Sequence, residues 1–274
     1  MVPRVEYGQT GLLVSRVCLG TGAMGPGRHN LSPADGAAIL RRAHGRGVTF
    51  WDTAPSYGTH PHVREALATL RRDDVVVNTK TGAFDFAEAA AELEQSLRQL
   101  GSEYVDSVLL HGVNSPEDLA AREGALEALL QARERGLVRA VGVSTHIYTG
   151  ELLNVLASRD EVQVVLALYN RDGLGLRGGG IDEHRILLER LHAGGKGLTA
   201  MKVVGEGALA SQAVEMLRDA LAQPFLTSVC LGVCRDEQVE VAALVAAGQD
   251  VPPELAARAA QGAQGPWAPA FGRF

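Results

Sequence analysis

The sequence predicts an α/β fold, a (β/α)8 TIM barrel with an N-terminal β-hairpin. Short β-branched runs recur eight times along the 274 residues, each followed by a segment rich in Ala, Leu and Arg. Several runs are almost wholly apolar, which is typical of parallel strands covered on both faces. Eight strands and their helices, at about thirty residues per unit, correspond to a closed barrel.

The elements follow in order. Residues 1–16 predict a hairpin that turns at Gln9-Thr10-Gly11 and closes the bottom of the barrel. The predicted strands are residues 17–19, 48–51, 75–78, 105–110, 138–143, 162–168, 197–203 and 227–231. Residues 262–274, rich in Gly, Ala and Pro, predict an extended tail. Because no linker divides the chain, residues 1–274 are interpreted as a single barrel domain.

The intervening segments carry helix start and stop signals. The stretch SPAD at residues 32–35 offers a serine N-cap, a proline at the first helical position and an acid in the first turn. The stretch SPED at residues 115–118 repeats this pattern. A leucine stripe within residues 93–100 predicts a helix that Gly101 ends.

The competing α/β fold is a doubly wound open sheet. Residues 20–25 fit the G-x-G-x-x-G pattern that such folds place between a first strand and a helix. Here Pro26 and Gly27 follow instead of a helix, so the required context is missing. The barrel is therefore preferred.

Composition narrows the function classes. The formal charge of -6 argues against nucleic acid or an anionic membrane as the partner. No signal core and no apolar run of ~18 residues is present, so a cytoplasmic location is expected. Three sparse cysteines suggest reduced, structural thiols, and His60-Pro61-His62 lacks a third ligand, so no metal site is predicted.

Polar residues stand at the ends of three successive predicted strands. Asp52 ends the second strand and Tyr57 lies in the loop after it, while Lys80 and His111 follow the third and fourth strands. Active sites of (β/α)8 barrels lie at the C-terminal ends of the strands, and consecutive strands are neighbours. We therefore expect all four side chains to meet in one pocket.

Together these side chains suit proton donation to a carbonyl oxygen while hydride arrives at the carbon. A lysine cation beside Tyr57 is expected to lower its pKa from about 10. Asp52 would hold Lys80 charged, and His111 would orient the substrate oxygen. Each residue alone has a structural interpretation: a capping carboxylate, a rim aromatic, a solvated lysine or a hydrogen-bonded histidine.

The motifs that carry these residues resemble the aldo-keto reductase family over nearly the whole chain. YGQTGLLVSRVCLGTGAMG is similar to the family's hairpin and first strand, and WDTAPSYG, NTKTG and LLHG are similar to its next three strand motifs. By position, Asp52, Tyr57, Lys80 and His111 match the family's catalytic tetrad. The resemblance implies NADP(H) as cofactor, a small-molecule carbonyl substrate and Tyr57 as the general acid.

The same resemblance implies where the nucleotide binds. The implied cofactor contacts are Gly20, Thr21, Asp52, Ser144, Thr145, Met201, Lys202, Gly232, Arg235 and Gln238. Ser144 would hold the carboxamide, Lys202 would reach the pyrophosphate, and Arg235 would bind the adenosine phosphate.

Three polar contacts of the family are changed. Thr145 replaces an asparagine, Leu166 replaces a glutamine, and Val241-Ala242 replaces a Glu-Asn pair. Each change removes on the order of 1 kcal/mol, so weaker nucleotide binding is expected. Met201 stands where an aromatic often stacks, as in a branch of the family with Met-Lys at this point.

Two other functions remain open on the sequence. The barrel and its four polar residues would also suit a non-redox elimination or isomerisation beside a carbonyl, or a nucleotide-sensing regulatory subunit. The loops are short and poor in aromatics, which favours an open pocket for a bulky substrate. The sequence carries no prediction of the oligomeric state.

Overall fold

The computed structural model describes residues 1–146 and 150–261, and these residues form a closed barrel of eight parallel strands preceded by an antiparallel hairpin. The strands are β1 (Arg4–Glu6), β2 (Leu13–Ser15), β3 (Val17–Gly20), β4 (Phe50–Asp52), β5 (Val76–Thr81), β6 (Val105–Leu110), β7 (Val138–Thr145), β8 (Val164–Leu168), β9 (Gly197–Met201) and β10 (Ser228–Gly232). The helices are α1 (Pro33–Gly45), α2 (His60–Leu67), α3 (Phe86–Leu100), α4 (Pro116–Ala121), α5 (Glu123–Glu134), α6 (Gly150–Ala157), α7 (Ile181–Ala193), α8 (Ala213–Ala222), α9 (Asp236–Ala246) and α10 (Pro253–Ala260).

The barrel closes where β10 pairs with β3, in a register that sets Gly232 opposite Gly20. The other strands pair in sequence order from β3 to β10. The predicted (β/α)8 fold with an N-terminal hairpin is therefore confirmed. Because neighbours in sequence are neighbours in the sheet, the C-terminal ends of β4, β5 and β6 share one mouth.

Each of the eight predicted strands is present, and the differences lie at their ends. Residues 48–49 precede β4 because the amide of Val48 completes the last turn of α1 by donating to Ala43 O at 2.9 Å. Residues 202–203 fall outside β9 because Lys202 takes a left-handed backbone conformation, with φ of 60°. A left-handed residue cannot continue a strand.

The helix signals are confirmed. Ser32 Oγ accepts from the amide of Asp35 at 3.1 Å at the start of α1, and Ser115 Oγ accepts from the amide of Asp118 at 3.1 Å at the start of α4. Gly101, with φ of 62°, ends α3 in the left-handed conformation that glycine adopts without strain.

The glycine-rich stretch after β3 opens no α-helix. Residues Thr21–Met24 form a 3-10 turn, and α1 begins only at Pro33. The G-x-G-x-x-G match thus lacks the helix N-terminus that a dinucleotide fingerprint requires.

The hairpin closes the N-terminal end of the barrel, as predicted. The Tyr7 hydroxyl is hydrogen-bonded to Thr199 Oγ1 at 2.9 Å, and its ring meets that of Phe50 edge-on at 5.3 Å. Gly8 has φ of 58°, and a Cβ there would lie 2.3 Å from Gly197 N, so only glycine permits this close approach.

Apolar side chains form two buried clusters. The larger one fills the layer between the strands and the helices, and the smaller one lies inside the barrel with the hairpin. Alternate strand residues face the interior, so Phe50, Val76 and Leu109 belong to the inner cluster while Trp51, Val77 and Val108 belong to the outer one. This alternation places Asp52, Lys80 and His111 above the inner cluster, at the mouth.

No helix of the described part of the chain combines the length and apolar character needed to cross a membrane. The tail predicted for residues 262–274 lies outside the described residues. The single-domain interpretation of residues 1–274 stays a prediction.

Candidate active site

A buried ion pair forms the base of the mouth. Lys80 Nζ donates to Asp52 Oδ1 at 2.6 Å and to the carbonyl of Thr53 at 2.9 Å. Asn78 Nδ2 donates to the same Asp52 oxygen at 2.6 Å. The Lys80 and Asp52 side chains are only 1% and 6% exposed, so neither charge has water as an alternative partner. Full pairing is what makes such burial tolerable.

Tyr57 lies directly over this ion pair. It ends the 3-10 turn Pro55–Tyr57 after β4, and Lys80 Nζ is 4.8 Å from the centre of its ring. A Cβ at Gly22 would lie 3.4 Å from the ring, so the turn after β3 packs against Tyr57. The phenol and the ammonium group therefore meet, as the strand ends predicted.

The pKa of Tyr57 differs from the expectation that Lys80 would lower it. Burial raises the pKa of Tyr57 to about 12, and the Lys80 cation opposes this rise without cancelling it. The effect of Lys80 has the expected sign, but desolvation of the phenolate is larger. Tyr57 is thus held as a neutral phenol. Paired with Asp52, Lys80 keeps its charge, because this attraction raises the lysine pKa despite burial.

His111 stands on the other side of Tyr57. It follows β6, and the two rings meet edge-on with centroids 5.7 Å apart. Burial, aided by the cations of Lys80 and Arg122, lowers the pKa of His111 to about 3. His111 is therefore a neutral imidazole at physiological pH, able to donate one hydrogen bond.

A second histidine lines the same mouth. His146, directly after β7, has its ring centroid 5.8 Å from that of His111 and is 7% exposed. Burial and the cations of Lys202 and Lys80 lower the pKa of His146 to about 2. The sequence analysis does not single out His146 as a site residue. The inward alternation of β7, which also brings Ser144 to the interior, was the available signal.

Three of the expected cofactor contacts, Gly20, Thr21 and Gly232, lie on or next to β3 and β10. Gly20 and Gly232 lie opposite each other at the ends of β3 and β10, where neither adds a side chain. Thr21 is buried, and its hydroxyl donates to Asp52 O at 3.0 Å and is hydrogen-bonded to Thr59 Oγ1 at 2.7 Å. The Thr21 side chain therefore links two loops of the protein.

Ser144 is engaged with the loop after β6. Its hydroxyl accepts from the amide of Gly112 at 2.9 Å and donates to Leu110 O at 3.4 Å. Thr145 and Met201 are buried at the ends of β7 and β9. Leu166, where the family has a glutamine, belongs to the apolar cluster inside the barrel.

Lys202 forms a second lysine–carboxylate pair at this mouth. Its Nζ lies 3.2 Å from Glu206 Oε1, and the two side chains are 7% and 14% exposed. Both residues have left-handed backbones, with φ of 60° and 53°. Sequence reasoning missed Glu206, because the i,i+4 spacing acquires its meaning only from this unusual turn.

Arg235 and Gln238 have different surroundings. Arg235 is the exposed N-cap residue of α9, and its Nη1 donates to Gln261 O at 2.9 Å. Gln238 is buried, accepts from the amide of Cys234 at 2.8 Å and donates to Ala259 O at 3.3 Å. Gln238 thus connects α9 to α10. Val241 and Ala242 pack in the layer under α9.

The two histidines of the His60-Pro61-His62 stretch have structural contacts. His60 is hydrogen-bonded to Gln99 Oε1 at 2.7 Å and Thr79 Oγ1 at 3.1 Å, and His62 Nε2 is hydrogen-bonded to Leu31 O at 3.0 Å. Within residues 1–146 and 150–261, no three His, Cys, Asp or Glu side chains are grouped to hold a metal ion.

Fold and site together define a (β/α)8 protein with a Tyr-Lys-Asp-His group at the C-terminal mouth. The chain belongs to the aldo/keto reductase family, whose model matches residues 16–257.

Individual relatives agree with the family assignment. An aldo-keto reductase of Mycobacterium avium is 35% identical over 147 residues, which cover 52% of this chain and 50% of that protein. The chain thus spans about half the length of the curated relatives that it matches.

Two solved structures share the fold. An aldo-keto reductase from Bacillus halodurans in its holo form has a TM-score of 0.73 at 17% identity and covers 96% of this chain and 97% of its own. A Bombyx mori aldo-keto reductase in complex with NADP has a TM-score of 0.70 at 19% identity, covering 95% of this chain and 92% of its own.

Proposed function

We propose that this protein is an NADP-dependent oxidoreductase, in the cytoplasm, that reduces an aldehyde or ketone to an alcohol. One observation carries the proposal. A neutral phenol, Tyr57, lies over a buried, fully paired Lys80–Asp52 ion pair, with a neutral imidazole, His111, beside it. A proton donor, a cation that stabilises its conjugate base and a hydrogen-bond donor for the substrate are thus in contact.

The residues at the mouth fit a nicotinamide nucleotide. Gly20 and Gly232 add no side chains above the neighbouring strands β3 and β10. Lys202 and Arg235 supply cations suited to phosphate groups, and Arg235 does so at the N-terminus of α9, where anions are favoured. The Bombyx mori relative, described in complex with NADP, supports this choice.

When bound, NADPH would supply hydride to the carbonyl carbon of the substrate. Ser144 would orient the carboxamide, Lys202 would hold the pyrophosphate, and Arg235 would hold the adenosine phosphate. Gly20, Thr21, Thr145, Met201, Gly232 and Gln238 remain predicted neighbours of the nucleotide, with Thr21 and Gln238 acting through loop contacts.

The chain's own residues would perform the proton transfer. Neutral His111 donates a hydrogen bond to the carbonyl oxygen and thereby orients and polarises it. The Tyr57 hydroxyl donates its proton to that oxygen as negative charge develops. Lys80 stabilises the resulting phenolate, and Asp52 keeps Lys80 charged and in place.

Tyr57→Phe tests the acid assignment. The variant should lose turnover by about 10²–10⁴-fold while keeping nucleotide affinity, because only the proton donor is removed. Tyr104→Phe is the matched control. The Tyr104 hydroxyl donates to Asp73 at 2.6 Å, and this contact lies away from the mouth. A Tyr57→Phe protein with full activity would refute the assignment.

A second candidate function is a non-redox elimination or isomerisation beside a carbonyl. Two observations favour it. Leu166 packs in the apolar core where the family has a polar contact, and Lys202 is already paired with Glu206. Titration with NADPH and NADH, followed by nucleotide fluorescence, separates the alternatives. Nucleotide binding, together with oxidation of the nucleotide when a simple aldehyde is added, supports the reductase. Nucleotide binding without turnover supports a regulatory role. Absence of binding at millimolar nucleotide supports the non-redox reaction.

A further inference from the structure

Arg122 connects the loop that follows Lys80 and β5 to the loop that begins with His111 after β6. It stands between α4 and α5 and is 8% exposed. Its Nη1 donates at 3.4 Å to the carbonyl of Gly82, two residues beyond Lys80, and at 3.4 Å to the carbonyl of His111 itself. A single guanidinium therefore contacts the backbone at the ends of both β5 and β6.

The guanidinium is itself fixed in place. Arg122 Nε donates to Asp118 Oδ1 at 2.8 Å, and Asp118 Oδ2 accepts from the amide of Asn114 at 3.2 Å. Asn114 donates to Gly112 O at 2.7 Å and accepts from the amide of His146 at 3.3 Å. The network thus holds the whole loop after His111.

Phe84 covers the outer side of the guanidinium. Its ring centre lies 4.2 Å from Arg122 Cζ, and the side chain remains 49% exposed. An aromatic face attracts a guanidinium and shields it from water, which strengthens the hydrogen bonds behind it.

We propose that Arg122 is a positioning residue for His111: by holding the His111 and Gly82 carbonyls, it sets the imidazole at the distance from Tyr57 that the substrate oxygen requires. This inference rests on the proposed function for its catalytic consequence. The positional link between Arg122 and His111 can be tested without turnover.

Arg122 also acts on His111 through its charge. The groups that face His111 are Tyr57 after β4, Lys80 on β5, His146 after β7 and Arg122 itself. Burial is the main cause of the lowered pKa of His111, and the two cations add to it. Loss of the Arg122 cation should therefore raise the pKa of His111, although burial keeps it below the ordinary value.

The kinetic test compares Arg122→Met with Arg122→Lys. We expect Arg122→Met to lower kcat/KM for a carbonyl substrate by about 10- to 100-fold, with unchanged affinity for NADPH, because a misplaced hydrogen-bond donor weakens orientation. Arg122→Lys should recover part of the loss. Arg98→Met is the matched control, because Arg98 forms an exposed i,i+4 pair with Glu94, the same spacing as Arg122 with Asp118.

The second measurement follows the His111 ring by NMR during a pH titration. An upward pKa shift and altered ring resonances in Arg122→Met, with neither change in Arg98→Met, support the inference. If Arg122→Met does not fold, Asp118→Asn replaces it, since Asp118→Asn keeps the guanidinium but weakens its anchor.

The outcomes separate this inference from the proposed function. A folded variant with wild-type kcat/KM and unaltered His111 resonances would overturn the role of Arg122. If the wild-type protein reduces no carbonyl compound, the proposed function fails, and the His111 titration still decides whether Arg122 positions His111.

Discussion

Two lysine–carboxylate pairs stand at the same mouth and differ in how they are supported. Lys80 and Asp52 lie on paired strands, 2.6 Å apart, with Asn78 and the Thr53 carbonyl as further partners. Lys202 and Glu206 lie four residues apart in one turn, at 3.2 Å, on left-handed backbones. Left-handed residues other than glycine cost about 1–2 kcal/mol each.

This difference in support makes the charge of Lys80 fixed and the pairing of Lys202 exchangeable. A buried pair on a hydrogen-bonded sheet cannot lose a partner without leaving an uncompensated charge. A pair in a strained turn can exchange its carboxylate for another anion, and strained backbone is common at ligand clamps. We therefore interpret Lys80 as a permanent part of the proposed proton-transfer group and Lys202 as a lysine whose carboxylate the proposed nucleotide phosphate would replace.

The largest expected effect comes from breaking the fixed pair. Lys80→Met should lower turnover by about 10²–10⁴-fold, because Tyr57 loses the cation beside it. It should also lower the free energy of unfolding by about 3–5 kcal/mol, because the Asp52 carboxylate is left buried with Asn78 as its remaining side-chain partner. Urea unfolding and steady-state kinetics measure the two effects.

The double variant Lys80→Met with Asp52→Asn is the control for this interpretation. Removing the orphaned charge should restore most of the stability and none of the activity. A double variant as unstable as Lys80→Met alone would show that the loss arises from packing and not from the charge.

The exchangeable pair should respond differently. Lys202→Met should weaken NADPH binding by about tenfold or more, the value of one charge-assisted hydrogen bond. The free energy of unfolding should fall by less than in Lys80→Met, because the Glu206 carboxylate that loses Lys202 is 14% exposed, against 6% for Asp52. Glu206→Gln should tighten NADPH binding, because it removes a carboxylate that competes for Lys202. Fluorescence titration at fixed ionic strength measures both affinities, and weaker binding by Glu206→Gln would instead make Glu206 a support for Lys202.

The pH dependence of reduction sharpens the role of Lys80. Tyr57 must be protonated to act as the acid, and burial raises its pKa to about 12 despite Lys80. The rate of carbonyl reduction at saturating NADPH should therefore be level from neutral pH to about pH 10 and fall only above it. A descending limb near pH 8 would mean that another group donates the proton.

The last prediction concerns His146, whose pKa both lysines lower. Burial, Lys202 and Lys80 depress its pKa to about 2, so below about pH 6.5 the unfolded chain binds a proton that the folded chain does not. Stability should therefore fall with decreasing pH, with His146 contributing up to about 1.4 kcal/mol per pH unit. In urea unfolding between pH 6.5 and 4.5, His146→Gln should reduce this slope. His192→Gln, at the exposed end of α7, is the matched control.

The order of the elements and the strand ends was predictable because both depend on local patterns. Apolar runs specify buried strands, and the period of two sends Asp52, Lys80 and His111 to the same side of neighbouring strands. The meeting of Tyr57 with Lys80 follows from that geometry and from the short turn after β4. The predicted cofactor contacts have different surroundings: Gly20 and Gly232 end β3 and β10, whereas the side chains of Arg235 and Gln238 bond to Gln261 and α10.

Side-chain partners separated in sequence were not predictable. Three contacts depend on loop conformations that no local pattern specifies. They are the Thr21–Thr59 hydrogen bond, the hydrogen bonds of Arg122 to the carbonyls after β5 and β6, and the Lys202–Glu206 ion pair. The direction of the Tyr57 pKa shift was also not predictable from the sequence. The balance between burial and a neighbouring cation depends on how much protein surrounds the phenol.

The sequence by itself determined the barrel, its closing hairpin and the strand ends at which polar groups appear, because hydrophobic periodicity and helix caps are local. Only the tertiary structure decided which of those groups are buried, neutral or already paired. Desolvation and charge pairing act through space, and they are specified once the strands have closed and the loops have packed.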